Sequence, residues 1–84
     1  MRVEFFGLPR QRAGFSEMQV KAGTLGQLLA TLAYRIPSLG EFIQAGRLDP
    51  VLTASLNGDR FISDPETRLE ENDCVLILSA DAGG

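Results

Sequence analysis

Apolar and polar residues alternate in two segments near the start of the chain. Val3 and Phe5 are interleaved with the polar residues Arg2 and Glu4, and the alternation returns over residues 15–20. A period of two residues is typical of strands whose two faces differ in exposure. Glycine, proline and arginine residues separate the two segments, which indicates a loop. The pattern therefore predicts an N-terminal hairpin with a long loop.

The spacing of apolar residues then changes to that of a helix. Five of them would line one helical face: Leu25, Leu28, Leu29, Leu32 and Ile36. Thr24 is suited to cap the N-terminus of this helix, and Pro37 ends it. The connector 38–50 has three apolar residues spaced for one short helical turn that fills an edge of the core: Leu39, Phe42 and Ile43.

Alternation in the second half of the chain predicts further strands. Residues 51–57 alternate, with inward positions at Leu52, Ala54 and Leu56. Asn57-Gly58 is typical of a tight hairpin turn, so residues 59–62 are expected to return as a short strand. The apolar segment 74–79 is expected to form the last strand.

These elements predict an α+β domain with the order ββαββ. One main helix packed on one face of a mixed four- to five-stranded sheet, with the first and last strands adjacent at its centre, is the compact arrangement. This is the β-grasp architecture. A ferredoxin-like fold would need a second full helix between the late strands, for which residues 59–73 are too few. We expect a β-grasp domain over residues 1–79 and a flexible C-terminal tail over residues 80–84.

Composition limits the chemistry that the chain can perform. Its 84 residues are enough for one small domain, and the net charge of −3 does not supply the cationic surface of a nucleic-acid or membrane-surface binder. A single cysteine and the absence of histidine leave neither an internal disulfide nor a zinc site. No apolar segment approaches the ~20 residues of a membrane span. We expect a cytoplasmic domain that binds no metal, nucleic acid or membrane.

The last strand is apolar on both faces, although one helix can cover only one of them. Leu76 and Leu78 have the opposite parity to the other large apolar residues of this strand, which is typical of a strand covered on both sides. Phe6 breaks the alternation of the first strand, and Phe61 lies on the short late strand. We interpret Phe6, Phe61 and Leu78 as a partner-binding patch, with Leu76 as a further candidate. Alternatively, the connector folds over this face or Phe61 turns into the core.

No residues have the spacing of a catalytic site. The chain lacks histidine, and no serine or cysteine has a base at a recognisable distance in sequence. Cys74 is interpreted as a small apolar strand residue, since nothing clearly cationic nearby would lower the pKa of its thiol. A solvated turn explains the carboxylates of residues 70–73. We therefore do not expect the chain to be an enzyme by itself.

The tail offers one group on which a partner could perform chemistry. Gly83 and Gly84 follow Asp81 and Ala82, and glycines, which lack Cβ atoms, can enter a narrow channel. A terminal carboxylate has a pKa of about 3.5, so it is ionised at neutral pH and is a poor electrophile. Transfer of AMP from ATP to this carboxylate would create a leaving group, which a sulfur or amine nucleophile could displace.

Two segments and the C-terminal glycines carry a family resemblance. The segments are residues 3–6, Val-Glu-Phe-Phe, and residues 69–75, Leu-Glu-Glu-Asn-Asp-Cys-Val. With the ββαββ order and Gly83-Gly84, they resemble the ubiquitin-like sulfur carriers of the MoaD/ThiS family over the whole chain. The small subunit of molybdopterin synthase, the MoaD type, is the most similar type. The resemblance implies that Gly84 is adenylated and then converted to a thiocarboxylate that donates sulfur.

The resemblance also implies partners. An E1-like adenylyltransferase of the MoeB/ThiF type would use ATP to activate Gly84, and a sulfur acceptor such as the large subunit of molybdopterin synthase would receive the sulfur. The carrier itself would bind no cofactor. The family's hydrophobic partner face would correspond to Phe6, Phe61 and Leu78. The family usually has glycine where Asn72 stands, so we expect a positive φ at Asn72.

Other interpretations stay open. The chain could carry sulfur for thiamine, cysteine or tRNA thiolation instead of molybdopterin. It could be a ubiquitin-like modifier that Gly84 joins to a lysine. It could also be a β-grasp binding module with a frayed tail.

Overall fold

The computed structural model describes residues 1–81. Within them, the strands are β1 Arg2–Phe5, β2 Glu17–Gln19, β3 Ile43–Gln44, β4 Arg47–Leu48, β5 Leu52–Leu56, β6 Arg60–Ile62 and β7 Cys74–Ser79. The helices are α1 Leu8–Ala13, α2 Leu25–Arg35 and α3 Pro37–Gly40.

Five strands form one mixed sheet in the order β2-β1-β7-β5-β6, and β3 pairs with β4 in a separate ribbon. β1 and β7 run parallel at the centre of the sheet, with Val3 opposite Val75 and Phe5 opposite Ile77. The other neighbouring strands are antiparallel. The structure therefore confirms the predicted α+β, β-grasp architecture, including the adjacent first and last strands.

The main helix α2 forms as its sequence predicts. Thr24 Oγ1 accepts a hydrogen bond of 3.2 Å from the Gln27 N–H, and Gln27 Oε1 accepts one of 2.8 Å from the Gly23 N–H. The first bond satisfies an N–H group that the first turn leaves without a partner, and the second ties the residue before the cap to the helix. α2 ends at Arg35, because Ile36 precedes a proline and takes a non-helical conformation.

The core lies between α2 and one face of the sheet. All five leucine and isoleucine residues of the predicted helical stripe are buried there, together with Val3, Phe5, Val75 and Ile77. The inward positions of β5 are also buried, as predicted: Leu52, Ala54 and Leu56. No polar or charged residue is buried within residues 1–81. Hydrophobic burial is therefore the main stabilising force of the domain.

The segment between the first two strands is not the plain loop that the sequence predicts, because it contains α1. Pro9 lies in the first turn, where a missing N–H costs little, and Gly14 ends the helix with φ 81°. The connector holds the expected helical turn as α3, with Leu39 and Ile43 buried. The β3–β4 ribbon that follows was not predicted.

Two turns at one end of the sheet give opposite outcomes for positive φ. Asn57 has φ 57° and Gly58 has φ 66°, which confirms the tight hairpin turn between β5 and β6. The prediction for Asn72 is wrong, because only Ala45 and Asn57 have positive φ among the non-glycine residues of the described chain. Asp73 closes that turn instead: its Oδ2 accepts a hydrogen bond of 2.7 Å from the Glu70 N–H.

The helices of residues 1–81 are all too short or too polar to cross a membrane.

Candidate partner-binding site

Within residues 1–81, no helix packs on the second face of the sheet. Burial alternates along β1 and β7, so that Val3, Phe5, Val75 and Ile77 face the core while their neighbours are partly or fully exposed. The helices pack on the core side, where α3 contacts α2 and α1. The connector therefore does not cover the second face, which we call the open face.

The register of the strands places the open-face residues in rows. Leu76 pairs with Glu4 of β1 and with Ser55 of β5, and Ser55 pairs in turn with Phe61 of β6. One row therefore runs from Glu4 through Leu76 to Phe61. Leu78 pairs with Thr53, and the Phe6 N–H donates a hydrogen bond of 2.9 Å to the Ile77 carbonyl. This bond extends the β1–β7 register by one residue and sets Phe6 beside Leu78 in the next row.

Four apolar side chains of these rows form the surface that we call the apolar patch: Phe6, Phe61, Leu76 and Leu78. Phe61 is 63% exposed and Phe6 is 43% exposed, while Leu76 and Leu78 are partly exposed. Phe61 therefore does not turn into the core. The structure brings all four predicted patch residues to one face, and their role in binding stays a prediction.

Polar groups border the apolar patch at the far end of β1. The Arg2 Nε atom lies 3.2 Å from Glu4 Oε2, and the Cys74 thiol donates a hydrogen bond of 3.1 Å to the same oxygen. Partial burial, together with Glu4, raises the pKa of the Cys74 thiol. The thiol is therefore protonated at neutral pH, which agrees with its interpretation as an unreactive strand residue.

The base of the tail is fixed at the opposite end of β7. We call the residues that make these contacts the tail junction: Gly7, Leu8, Val51, Ser79 and Ala80. The Leu8 N–H donates a hydrogen bond of 2.9 Å to Ser79 Oγ. The Ala80 N–H donates one of 2.9 Å to the Val51 carbonyl. A cleft of about 420 Å³ lies beside these residues and extends to Asp81.

The predicted reactive end of the tail falls partly outside the described residues. Ala82, Gly83 and Gly84 lie beyond them, and Asp81 is an exposed residue at their limit. β7 ends at Ser79, and the division of the chain into a domain and a flexible tail stays a prediction. The site residues Gly84, Gly83 and Ala82 therefore stay predictions.

Sequence reasoning missed the tail junction. Ser79 and Leu8 are separated by 71 positions, and a serine at the end of a strand gives no sign of its partner. Gly7 lies in the segment that the sequence predicts to be a loop. Within residues 1–81, no three carboxylate, thiol or imidazole groups cluster as they would around a metal ion.

Comparison with solved structures places this geometry in a known fold. A chain of SAMP1 from Haloferax volcanii has a TM-score of 0.79 and 20% identity, covering 99% of this chain and 97% of that one. A chain of the BexX/CysO complex from Amycolatopsis orientalis has a TM-score of 0.78 and 19% identity, covering 99% and 98%. A chain of the complex between subunits 1 and 2 of molybdopterin-converting factor from Helicobacter pylori has a TM-score of 0.66 and 27% identity, covering 93% and 89%.

No protein-family model and no curated protein matches the sequence. The structural likenesses show that the chain has the β-grasp fold of the ubiquitin-like proteins. Among these, the fold is MoaD-like, since the structures that it matches include a molybdopterin-converting factor and SAMP1.

Proposed function

We propose that the protein is a sulfur carrier whose Gly84 carboxylate is activated by a partner enzyme and then holds the sulfur. The observation that carries this proposal is the position of β7. This strand contributes Leu76 and Leu78 to the apolar patch and leads directly into the tail. An enzyme that docks on the apolar patch would therefore have the tail close to its active site.

The proposed chemistry is supplied by that partner, and the chain itself is not an enzyme. A carboxylate oxygen of Gly84 attacks the α-phosphorus of ATP, the bond to the β-phosphate oxygen breaks, and pyrophosphate leaves. A sulfur nucleophile then attacks the acyl carbon, and the bond to AMP breaks. With hydrosulfide as this nucleophile, the new carbon–sulfur bond replaces the bond to AMP, and loss of the proton on sulfur gives the thiocarboxylate of Gly84. The small residues Ala82 and Gly83 would allow the tail to enter the partner's channel, with Asp81 at its base.

The proposed partners are proteins, and the carrier binds no cofactor of its own. The first is an E1-like adenylyltransferase of the MoeB/ThiF type, and the second is the sulfur acceptor. An exposed apolar group of Phe6, Phe61, Leu76 and Leu78 is suited to bind such partners. The solved complexes of BexX with CysO and of molybdopterin-converting factor subunits 1 and 2 support a protein partner for this fold. We place the protein in the cytoplasm.

The acceptor that we favour is the large subunit of molybdopterin synthase. The connector 38–50, which makes the chain longer than thiamine-type carriers usually are, supports this assignment. The structural likeness to molybdopterin-converting factor supports it as well. The likeness to the BexX/CysO complex supports an alternative, in which the protein carries sulfur for another pathway such as thiamine, cysteine or tRNA thiolation.

Intact mass spectrometry tests the proposal. The protein is incubated with ATP, the E1-like adenylyltransferase of its own organism and a sulfur donor. We expect a mass gain equal to the exchange of one oxygen for sulfur, located at Gly84 by fragmentation. A variant without Gly84 is the control and should gain nothing. An unchanged mass for the wild type would overturn the carrier proposal.

A second candidate is a ubiquitin-like modifier, which the likeness to SAMP1, a small archaeal modifier protein, favours. The activated carboxyl of Gly84 would then react with a lysine amine, with loss of AMP, to give an isopeptide bond. Immunoblots of cells that express a tagged protein separate the two. High-mass conjugates that vanish when Gly84 is deleted support the modifier, whereas a free thiocarboxylate without conjugates supports the carrier.

A further inference from the structure

The tail junction holds the end of β7 by a hydrogen bond between the side chain of Ser79 and α1. α1 begins after Gly7, which has no side chain to cap the helix, and the first helical N–H belongs to Leu8. Ser79 Oγ accepts the hydrogen bond from this N–H at 2.9 Å. The serine therefore caps a helix that lies 71 positions earlier in the sequence.

The contact requires a glycine at position 7. Gly7 has φ 66°, and a Cβ atom there would lie 2.6 Å from Ser79 Oγ and 3.5 Å from Ser79 Cβ. Real Cβ atoms do not approach this closely, so either the serine or α1 would have to move. Only glycine combines this conformation with enough space for the hydroxyl group.

Ser79 also stands between the last backbone hydrogen bonds of β7. On one side, the Phe6 N–H binds the carbonyl of Ile77, and on the other, the Ala80 N–H binds the carbonyl of Val51, each at 2.9 Å. Ser79 itself pairs with Leu52. No further backbone hydrogen bond is made by Asp81 in the described chain. Ser79 is therefore the last residue of β7, and its side chain is hydrogen-bonded to another element, α1.

We infer that Ser79 is a positioning residue, which fixes the point where the tail leaves the sheet and so places Gly84 in the site of the activating enzyme. This inference rests on the proposed function. Gly84 lies five residues beyond Ser79 and can reach at most about 17 Å from it. Without the hydroxyl group, Ser79 and Ala80 detach more easily, which lengthens the segment between the sheet and Gly84. A longer segment lowers the effective concentration of its end at a site fixed by docking.

The test compares Ser79→Ala with the wild type as substrates of the E1-like adenylyltransferase of the same organism, with ATP. Because the apolar patch is intact, KM for the carrier is expected to change less than about twofold, and kcat for adenylation to fall about threefold to tenfold. Amide hydrogen exchange of Leu8 and Ala80 should be faster in the variant. Ser79→Thr keeps the hydroxyl group and should restore kcat. Ser63→Ala, an exposed serine outside the junction and the apolar patch, should match the wild type.

Gly7→Ala provides a second variant if Ser79→Ala does not fold. It should lower kcat by a similar factor, and the double variant should lose less than the product of the two factors, because both changes break one contact. An unchanged kcat in Ser79→Ala would overturn the inference, as would a raised KM with unchanged kcat or unchanged exchange at Leu8 and Ala80. Failure of the wild type to be adenylated would instead overturn the proposed function, and the inference with it.

Discussion

Asn57 and Asp73 join two turns across one end of the sheet. The Asn57 side-chain amide donates a hydrogen bond of 3.0 Å to Asp73 Oδ1, and the Cys74 N–H donates one of 2.8 Å to Asn57 Oδ1. The β5–β6 turn and the turn before β7 therefore hold each other in place. The acidic segment that looked like a plain solvated turn in the sequence is a fixed part of the fold.

This link makes stability depend on pH. The hydrogen bond from Asn57, with that from the Glu70 N–H, lowers the pKa of the Asp73 carboxyl below its ordinary value. A carboxyl with a lowered folded-state pKa stabilises the fold above its unfolded pKa of about 3.9, and this contribution is lost as the pH falls through the folded pKa. The free energy of unfolding should therefore decrease from about pH 5 to pH 3.

The variant Asp73→Asn isolates this contribution. Its free energy of unfolding at pH 7 should be lower by less than about 1 kcal/mol, since the group is partly exposed, and its decrease in acid should be smaller than that of the wild type. Urea unfolding at several pH values measures both. Glu71→Gln, in the same turn, is the control and should keep the dependence of the wild type. Equal pH profiles for Asp73→Asn and the wild type would contradict the assignment to Asp73.

The cap of α2 is the next contribution that can be measured. Thr24→Ala removes the acceptor of the Gln27 N–H, and we expect it to lower the free energy of unfolding by about 1 kcal/mol. Thr31→Ala, inside the same helix, is the matched control. It should leave stability unchanged or raise it slightly, because alanine has the higher helix propensity. Similar losses for both variants would show that the effect is not one of capping.

The core depends on the leucine stripe of α2. Leu28 is fully buried, whereas Tyr34 of the same helix is 87% exposed. Leu28→Ala should lower the free energy of unfolding by about 2–5 kcal/mol, through lost burial and the cavity that it leaves. Tyr34→Ala should change it by less than about 0.5 kcal/mol. A loss for Tyr34→Ala as large as that for Leu28→Ala would mean that the exposed side of the helix is also covered.

The parts of the fold that the sequence predicted are those with local causes. The leucine stripe, Thr24 and Pro37 define α2, and Asn57-Gly58 defines its turn, because each signal lies within a few residues. α1 has Pro9 in its first turn and Gly14 at its end, but it has no apolar stripe that would predict a helix between them. It is six residues long, and contacts from distant residues hold it: Leu8 with Ser79, and Arg12 with Ser38 and Glu41. A helix this short is not stable by itself.

Asn72 shows how a local preference can be overridden. Asparagine tolerates a positive φ, but the Asp73 carboxylate accepts the Glu70 N–H, and the Asp73 N–H donates to the Glu70 carbonyl at 3.1 Å. These bonds close the turn without a left-handed residue.

The apolar patch could be predicted from the parity of β1 and β7, whereas the tail junction depends on residues far apart in sequence. The proposed role of Gly84 as the sulfur-bearing residue stays a prediction.

The apolar patch gives the prediction that bears most directly on function. Phe61 is the most exposed of its four side chains, so its substitution is expected to have little effect on stability. Phe61→Asp should weaken binding to the E1-like adenylyltransferase of the same organism by at least about tenfold, because a carboxylate would have to be buried in an apolar interface. Isothermal titration calorimetry measures the Kd. Phe6→Asp and Leu78→Asp should act in the same direction.

Tyr34→Asp is the matched control, since it also places a carboxylate at an exposed aromatic position, but on α2, which packs against the opposite face of the sheet. It should bind like the wild type. Thermal unfolding of each variant separates docking from folding. If Phe61→Asp binds normally, the apolar patch is not the docking surface. If Leu78→Asp unfolds the domain, the side chain of Leu78 contributes to the core, and the patch is smaller than the register of β7 implies.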